Sequence, residues 1–384
     1  MDKMIYLDNA ATTYPKPDSV WEAVLACGKD SCGNPGRSGH PLAAAAAREM
    51  FTARETLAEF FNAGDSSRIV FTCNATMALN TALYGYLTDG GHVITSSMEH
   101  NSVMRPLHNL QQQGRITLTV VPCSPRGELD PDDVKRAVQA DTRLVVLTHA
   151  SNVCGTILPV GEVKQRLSEI PLLVDAAQTA GALPIDIAES GIDMLAFSGH
   201  KGLMGPMGTG GLYVAPALRL APLMQGGTGS RSEDLAHPDF MPDALEAGTP
   251  NVPGVCGLHA GVRFLQETGV ATVRAHEMSL TRLLLDGLAG NKRIRIYGLA
   301  NPARQTAVVS ITIDGRDPGD IARALDRDFG IACRASLHCA PVAHQTLGTY
   351  PEGTVRLSMS YFNTRDDVQE AVRALRVIAE QEGA

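Results

Sequence analysis

Between residues 68 and 197 the chain alternates short, β-rich apolar runs with stretches whose apolar residues recur at helical spacing. This alternation restricts the chain to one class of fold. The runs are 68–72, 92–96, 117–121, 144–148, 172–175 and 194–197, and the stretches 75–86, 103–113, 131–138 and 160–170 lie between them. Several of the runs lack polar alternation, as expected of strands covered on both faces. Strand–helix alternation of this kind predicts an α/β domain with a mostly parallel sheet. Ligands of such sheets bind beyond the carboxyl ends of the strands.

The residues just past those ends carry chemistry. Run 68–72 leads to Asn74, Ala75 and Thr76, which open a helix. Backbone N–H groups and a hydroxyl there can seat a phosphate, or simply cap the helix. Run 92–96 leads to Glu99-His100-Asn101-Ser102, run 144–148 to His149-Ala150-Ser151-Asn152, and run 172–175 to Asp175 and Gln178. Run 194–197 ends in Ser198-Gly199-His200-Lys201-Gly202. Burial would lower the pKa of Lys201 and free its amine for attack on a carbonyl. A loop lysine in solvent is the plain alternative.

Taken together, these residues match what pyridoxal phosphate requires. The cofactor needs a lysine for a Schiff base, a carboxylate against the pyridine nitrogen, phosphate donors and a flat partner for its ring. Lys201, Asp175 and His100 would fill the first, second and last roles. Gln178 would donate to the phenolic oxygen, and Thr76, Ser198 and His200 would bind phosphate.

Past residue 251 the texture changes to helices at 252–267 and 270–289, then an α+β pattern that ends in a helix at 365–382. We expect a large domain at 16–260 and a smaller one built from 1–15 and 261–384. The net charge of −8 and the lack of a basic run argue against nucleic-acid binding. The amino terminus lacks a signal-peptide pattern, and no apolar stretch is long enough to span a bilayer. We therefore expect a soluble, cytoplasmic protein with no membrane partner. The eight cysteines contain no CxxC pair, so no metal site is expected.

The sequence resembles the class V aminotransferases, which are fold type I pyridoxal-phosphate enzymes, and within them the cysteine desulfurases. The motifs that carry the resemblance span essentially the whole chain. They are Tyr6-Leu7-Asp8-Asn9-Ala10-Ala11-Thr12-Thr13, Met98-Glu99-His100-Asn101-Ser102, Ser151-Asn152-Val153-Cys154-Gly155, Val174-Asp175-Ala176-Ala177-Gln178, the Lys201 segment, Glu246-Ala247-Gly248-Thr249-Pro250-Asn251 and Arg356-Leu357-Ser358. The resemblance implies a mostly parallel seven-stranded sheet flanked by helices, with a smaller α+β C-terminal domain. It implies further roles: Ala75 and Asn152 at the cofactor, Asn152, Ala11 and Arg334 at the substrate, and Arg356 on the substrate carboxylate. It also implies a homodimer in which Thr249 reaches the neighbouring phosphate.

Residues 334–341, Arg334-Ala335-Ser336-Leu337-His338-Cys339-Ala340-Pro341, resemble the compact cysteine motif of second-group desulfurases, which are related to selenocysteine lyases. An arbitrary cysteine is most often buried and inert. Here Cys339 follows His338 and lies near Arg334, and positive charge would favour its nucleophilic form. The expected activity is conversion of L-cysteine to L-alanine with a persulfide on Cys339, and the expected partners are L-cysteine and a sulfur-acceptor protein. The alternatives are a selenocysteine lyase acting on L-selenocysteine, a C–S β-lyase and an aminotransferase. Ser336-Leu337 stands where many second-group enzymes have glycine and histidine. Gly36-Arg37-Ser38-Gly39-His40, with Gly348-Thr349 and Phe362-Asn363-Thr364, resembles a cysteine-desulfurase-like subfamily.

Overall fold

The structure is a computed structural model that describes residues 4–36 and 39–381. Arg37 and Ser38 of the subfamily segment, and Glu382, the last residue of the expected C-terminal helix, lie outside the described residues.

A seven-stranded sheet forms the larger body. Its order is Ile69–Thr72, Gly210–Val214, Met194–Ser198, Leu172–Asp175, Thr142–Thr148, Gly91–Ser96 and Ile116–Val121. Neighbouring strands are parallel except at Gly210–Val214, which runs antiparallel to both its neighbours. That strand was absent from the expected runs because it opens on two glycines. Gly211 has a packing reason: a Cβ there would strike the Phe197 ring.

The central strands bury both faces, as their unbroken apolar character requires. Val70, Val93, Leu144, Leu173 and Met194 pack on one side, and Ile69, Ile94, Val145, Val174 and Leu195 on the other. Each such side chain stabilises the fold by about 1.5–3 kcal/mol relative to exposure. The chain order turns around between Gly91–Ser96 and Thr142–Thr148, since Ile116–Val121 lies on the far side of Gly91–Ser96. Such a reversal opens a crevice at the carboxyl strand ends.

A four-stranded antiparallel sheet forms the second body, in the order Arg334–Ser336, Thr354–Ser358, Val308–Ile313 and Ile294–Tyr297. The N-terminal strand Ile5–Tyr6 pairs in parallel with Ile331–Ala332, and Leu7 packs in this second core. Strands Ile294–Tyr297 and Arg334–Ser336 and helix Pro341–Leu347 were not anticipated. All three are short, and Arg334–Ser336 is polar.

Along helices Val252–Thr268 and Val270–Leu288, side chains up to Val273 pack in the first core and those from Leu280 in the second. We therefore propose that the bodies divide within helix Val270–Leu288. Ala340, Ala343 and Leu347 return to the first core. Among the described residues, no helix is long and apolar enough to cross a membrane.

Candidate active site

Strand Met194–Ser198 delivers Lys201 into a cleft of about 270 Å³ at the carboxyl end of the sheet. The adjacent Gly202 is required by close approach, because a Cβ there would meet the Ala180 carbonyl oxygen at 2.5 Å. Ala11, Ala75, Thr76, His100, Asn152, Asp175, Gln178, Ser198 and His200 share the wall with Lys201. Asn74, Ser102, Thr148 and Ala177 complete it. Of these, Ser102 and Ala177 lie inside quoted motifs, and their place at the cleft could have been inferred from that.

Burial lowers the Lys201 pKa to about 8, while the Asp175 carboxylate opposes the shift. Burial also raises Asp175, opposed by the Ala177 N–H and by Lys201. Asp175 Oδ1 accepts from the Ala177 N–H at 2.9 Å. Behind them Glu99 is fully buried and pushed up to about 8 by desolvation. Its carboxyl group is held by the Ser96 hydroxyl at 2.5 Å and by the Thr148 N–H at 2.9 Å.

His100 caps helix Asn101–Gln112, and its Nδ1 accepts from the Ser102 N–H at 3.0 Å. The ring proton therefore sits on Nε2. Burial, then the nearby Lys201, lowers its pKa to about 4, so the ring is neutral. At the other wall, Asn74 Oδ1 caps helix Ala75–Tyr86 by accepting from the Met77 N–H. The Ala75 N–H donates to the Ser198 hydroxyl at 3.3 Å, and the Thr76 and Ser102 hydroxyls meet at 2.7 Å. Gln178 donates from Nε2 to the Ala10 carbonyl at 3.0 Å.

His200 is anchored through its carbonyl oxygen, which accepts from the Thr13 N–H, the Thr12 hydroxyl and Lys16 Nζ, the last at 3.0 Å. Its ring Nδ1 is buried and has no partner. Lys16 was not anticipated. Burial lowers its pKa to about 8.

The second body closes over this cleft. Arg356 is almost fully buried; it donates from Nη2 to Asp8 Oδ1 at 2.7 Å and from Nη1 to the Asn152 carbonyl at 3.1 Å. Its Nε is buried without a partner. Asp8, the charged member of its motif, is the second unanticipated residue. Arg334 faces Arg356 across the sheet, and its Nη2 lies 3.6 Å from Cys339 Sγ.

Cys339 is exposed, and its backbone is held at φ 58°, with Ser336 at 92° and His338 at 50°. These left-handed conformations cost about 1–3 kcal/mol each for non-glycine residues and persist only where surrounding contacts enforce them. The contacts are present. The Asn101 N–H donates to the Cys339 carbonyl at 2.8 Å, and Asn152 Nδ2 donates to the His338 carbonyl at 2.7 Å. The Thr346 hydroxyl donates to the Ser97 hydroxyl at 2.8 Å.

His338 does not supply the positive charge expected beside Cys339. Its ring points inward, with Nε2 donating to the Arg334 carbonyl at 3.2 Å and Nδ1 3.3 Å from His344 Nε2. Burial, then the Arg356 charge, lowers its pKa to about 2, so it is neutral. Thr249 lies outside the cleft, in a separate groove of about 750 Å³, where Asn34 Nδ2 donates to its hydroxyl at 3.4 Å.

The donor set fits pyridoxal phosphate. A buried lysine, a buried carboxylate and a neutral imidazole surround a cleft that ends on a helix N-terminus. The orphaned Nδ1 of His200 is a further group that a bound phosphate would satisfy.

Comparison with known proteins agrees with this geometry. A probable cysteine desulfurase of Methanothermobacter thermautotrophicus is 36% identical over 383 residues, covering 98% of this chain and 94% of its own. One from Pseudomonas putida is also 36% identical, over 389 residues, covering 96% and 92%. The apo cysteine desulfurase of Thermococcus onnurineus superposes with a TM-score of 0.91 at 31% identity, covering 98% of this chain and 95% of its own. An S-sulfonic acid form of an Escherichia coli cysteine desulfurase gives 0.87 at 30%, with the same coverage. The Aminotransferase class-V family matches residues 5–371, and with the lysine cleft and its covering body in place, the chain belongs to that family.

Proposed function

We propose that this protein is a pyridoxal-phosphate-dependent cysteine desulfurase that converts L-cysteine to L-alanine and takes the sulfur atom onto Cys339 as a persulfide. The observation that carries this reading is the seating of Cys339. The backbone N–H of Asn101, the residue after His100, holds its carbonyl, and the Arg334 guanidinium lies against its sulfur. A thiol unrelated to the cleft would need neither. The names of the relatives support this activity over the selenocysteine lyase, β-lyase and aminotransferase alternatives.

When bound, the cofactor supplies an aldehyde that condenses with amines and a ring that draws electron density from the substrate Cα. Lys201 would hold it, and its amine would take the substrate Cα proton. Asp175 would keep the ring nitrogen protonated. The Ala75 N–H and the Thr76, Ser198 and His200 side chains would bind the phosphate, and Gln178 would donate to the phenolic oxygen. His100 covers the ring face and presents its Nε2 proton to the cleft. Arg356 exchanges a present partner for the substrate carboxylate, and Asn152, Ala11 and Arg334 line the substrate side.

The Cys339 sulfur then attacks the substrate sulfur. The C–S bond breaks with its electron pair left on the β-carbon and an S–S bond forms; the Cα proton returns from Lys201, and the proton given up by the Cys339 thiol reaches the β-carbon by way of His100. Cysteine and a thiol thus become alanine and a persulfide, with no outside oxidant. We further propose a homodimer in which Thr249 reaches the neighbouring phosphate, and a sulfur-acceptor protein.

The test compares wild type, Lys201→Ala and Cys339→Ala on L-cysteine, scoring alanine, sulfide and pyruvate, with L-selenocysteine as a second substrate. Cys339→Ala should bind the cofactor and lose alanine formation from cysteine. Undiminished turnover in that variant sinks the persulfide step, and pyruvate as the product sinks the desulfurase reading.

A further inference from the structure

Away from the cleft, three cysteines meet where an N-terminal helix ends. Helix Asp18–Ala26 widens into a single π-helical turn, Cys27–Ser31, and Cys32 follows directly. In an α-helix, side chains five positions apart point about 140° away from each other. In a π turn the backbone hydrogen bond itself spans five residues, which brings Cys32 over Cys27. Helix Val252–Thr268 packs across Asp18–Ala26, and an open cleft of about 610 Å³ has both Cys27 and Cys256 in its wall.

Burial first, and then the neighbouring Cys27 thiol, raises the pKa of both Cys32 and Cys256. Cys256 Sγ also lies 3.9 Å from Glu49 Oε2. Cys32 is exposed, whereas Cys27 and Cys256 are buried, and all three are free. Among the described residues, no group of His, Cys, Asp or Glu is arranged to hold a metal ion. None of the three takes part in the chemistry at Cys339.

We propose that Cys32 and Cys27 form an oxidisable dithiol that reacts with hydroperoxides and closes to a disulfide across the π turn. Cys32, the exposed member, is oxidised first. Its sulfur attacks the peroxide, an S–O bond forms, the O–O bond breaks, and an alcohol or water leaves. The Cys27 sulfur then attacks the sulfenic acid, an S–S bond forms, the S–O bond breaks, and water leaves with the Cys27 proton. The pair gives up two electrons and the peroxide accepts them. A thiol reductant reverses the step. Cys256 is the lesser partner because it is buried away from the oxidant, and burial, then the Cys27 thiol and the Glu49 carboxylate, disfavour its thiolate.

The test treats the purified full-length protein with hydrogen peroxide, alkylates it under denaturing conditions and maps the peptides. Lys29 lies between Cys27 and Cys32, so trypsin yields two peptides that stay joined only if the disulfide has formed. We expect the joined species, lighter by two hydrogen atoms, and its loss with dithiothreitol. Cys32→Ser should abolish it, and Cys256→Ser should leave it intact. The proposal is overturned if Cys27 and Cys32 remain alkylatable at a peroxide dose that fully oxidises Cys339. It is also overturned if Cys32 proceeds to sulfinic acid without a cross-link, or if Cys27 joins Cys256 instead.

Discussion

The Arg334 guanidinium approaches the Cys339 sulfur to 3.6 Å, and it is the cation of that pair because the neighbouring imidazole of His338 is turned inward and neutral. Removing that charge should slow every reaction in which Cys339 acts as a nucleophile. Arg334→Gln should reduce the rate of Cys339 alkylation by iodoacetamide by about three- to tenfold, the effect of one nearby charge in a partly exposed site. An unchanged rate would assign the arginine to substrate contact alone.

Arg356 and Asp8 form a pair with unequal exposure, 1% and 22%. Asp8→Asn would leave the buried guanidinium without its counter-charge. Loss of a fully buried partner costs about 3–5 kcal/mol; because Asp8 is partly solvated, we expect about 2 kcal/mol, read from urea denaturation. The conservative change Asp8→Glu should recover part of it.

Lys201 should show a depressed titration. With its pKa lowered to about 8 from 10.5, its free amine grows in over pH 7–9. Reconstitution of cofactor-free protein with pyridoxal phosphate should therefore accelerate with pH and level off above about 9. A rate still climbing steeply past pH 10 would indicate an ordinary solvated lysine.

Glu277 should destabilise the fold at neutral pH. Burial raises its pKa from 4.5 to about 8, and Arg274 opposes the shift only in part. The folded carboxyl stays protonated where the unfolded one ionises, so stability is greatest below pH 4.5 and is lost as pH rises toward 8. At pH 7 that loss is about 3 kcal/mol. Glu277→Gln should recover most of it at pH 7 and little at pH 4.5, measured by denaturation at both values.

The parallel strands were legible because burial on two faces leaves an unbroken apolar run, as in Leu172–Asp175 and Met194–Ser198. Gly210–Val214 was not, since glycine carries no side chain to signal a strand. Helix Pro341–Leu347 was not legible either, because its seven residues include His344, Gln345 and Thr346, and its apolar face meets a core formed by distant chain. At the site, residue types at strand ends identified Lys201, Asp175, His100 and Thr76. Orientation was beyond reach. The inward turn of His338 depends on His344 and on left-handed backbone, and the Asp8 pairing joins residues 348 positions apart.

Cys339 is tied down by Asn152 at the His338 carbonyl before it, by Asn101 at its own carbonyl, and by the Ala340, Ala343 and Leu347 packing after it. A cysteine on a long arm could carry cargo outward, but this one has only its own side-chain rotation with which to reach. In a sulfur-transferring enzyme, that makes the delivery point stationary. Under the proposed transfer, a recipient would have to travel the whole distance and present its own nucleophile at a fixed position on the protein surface, so selectivity for it would be a question of what shape can dock there.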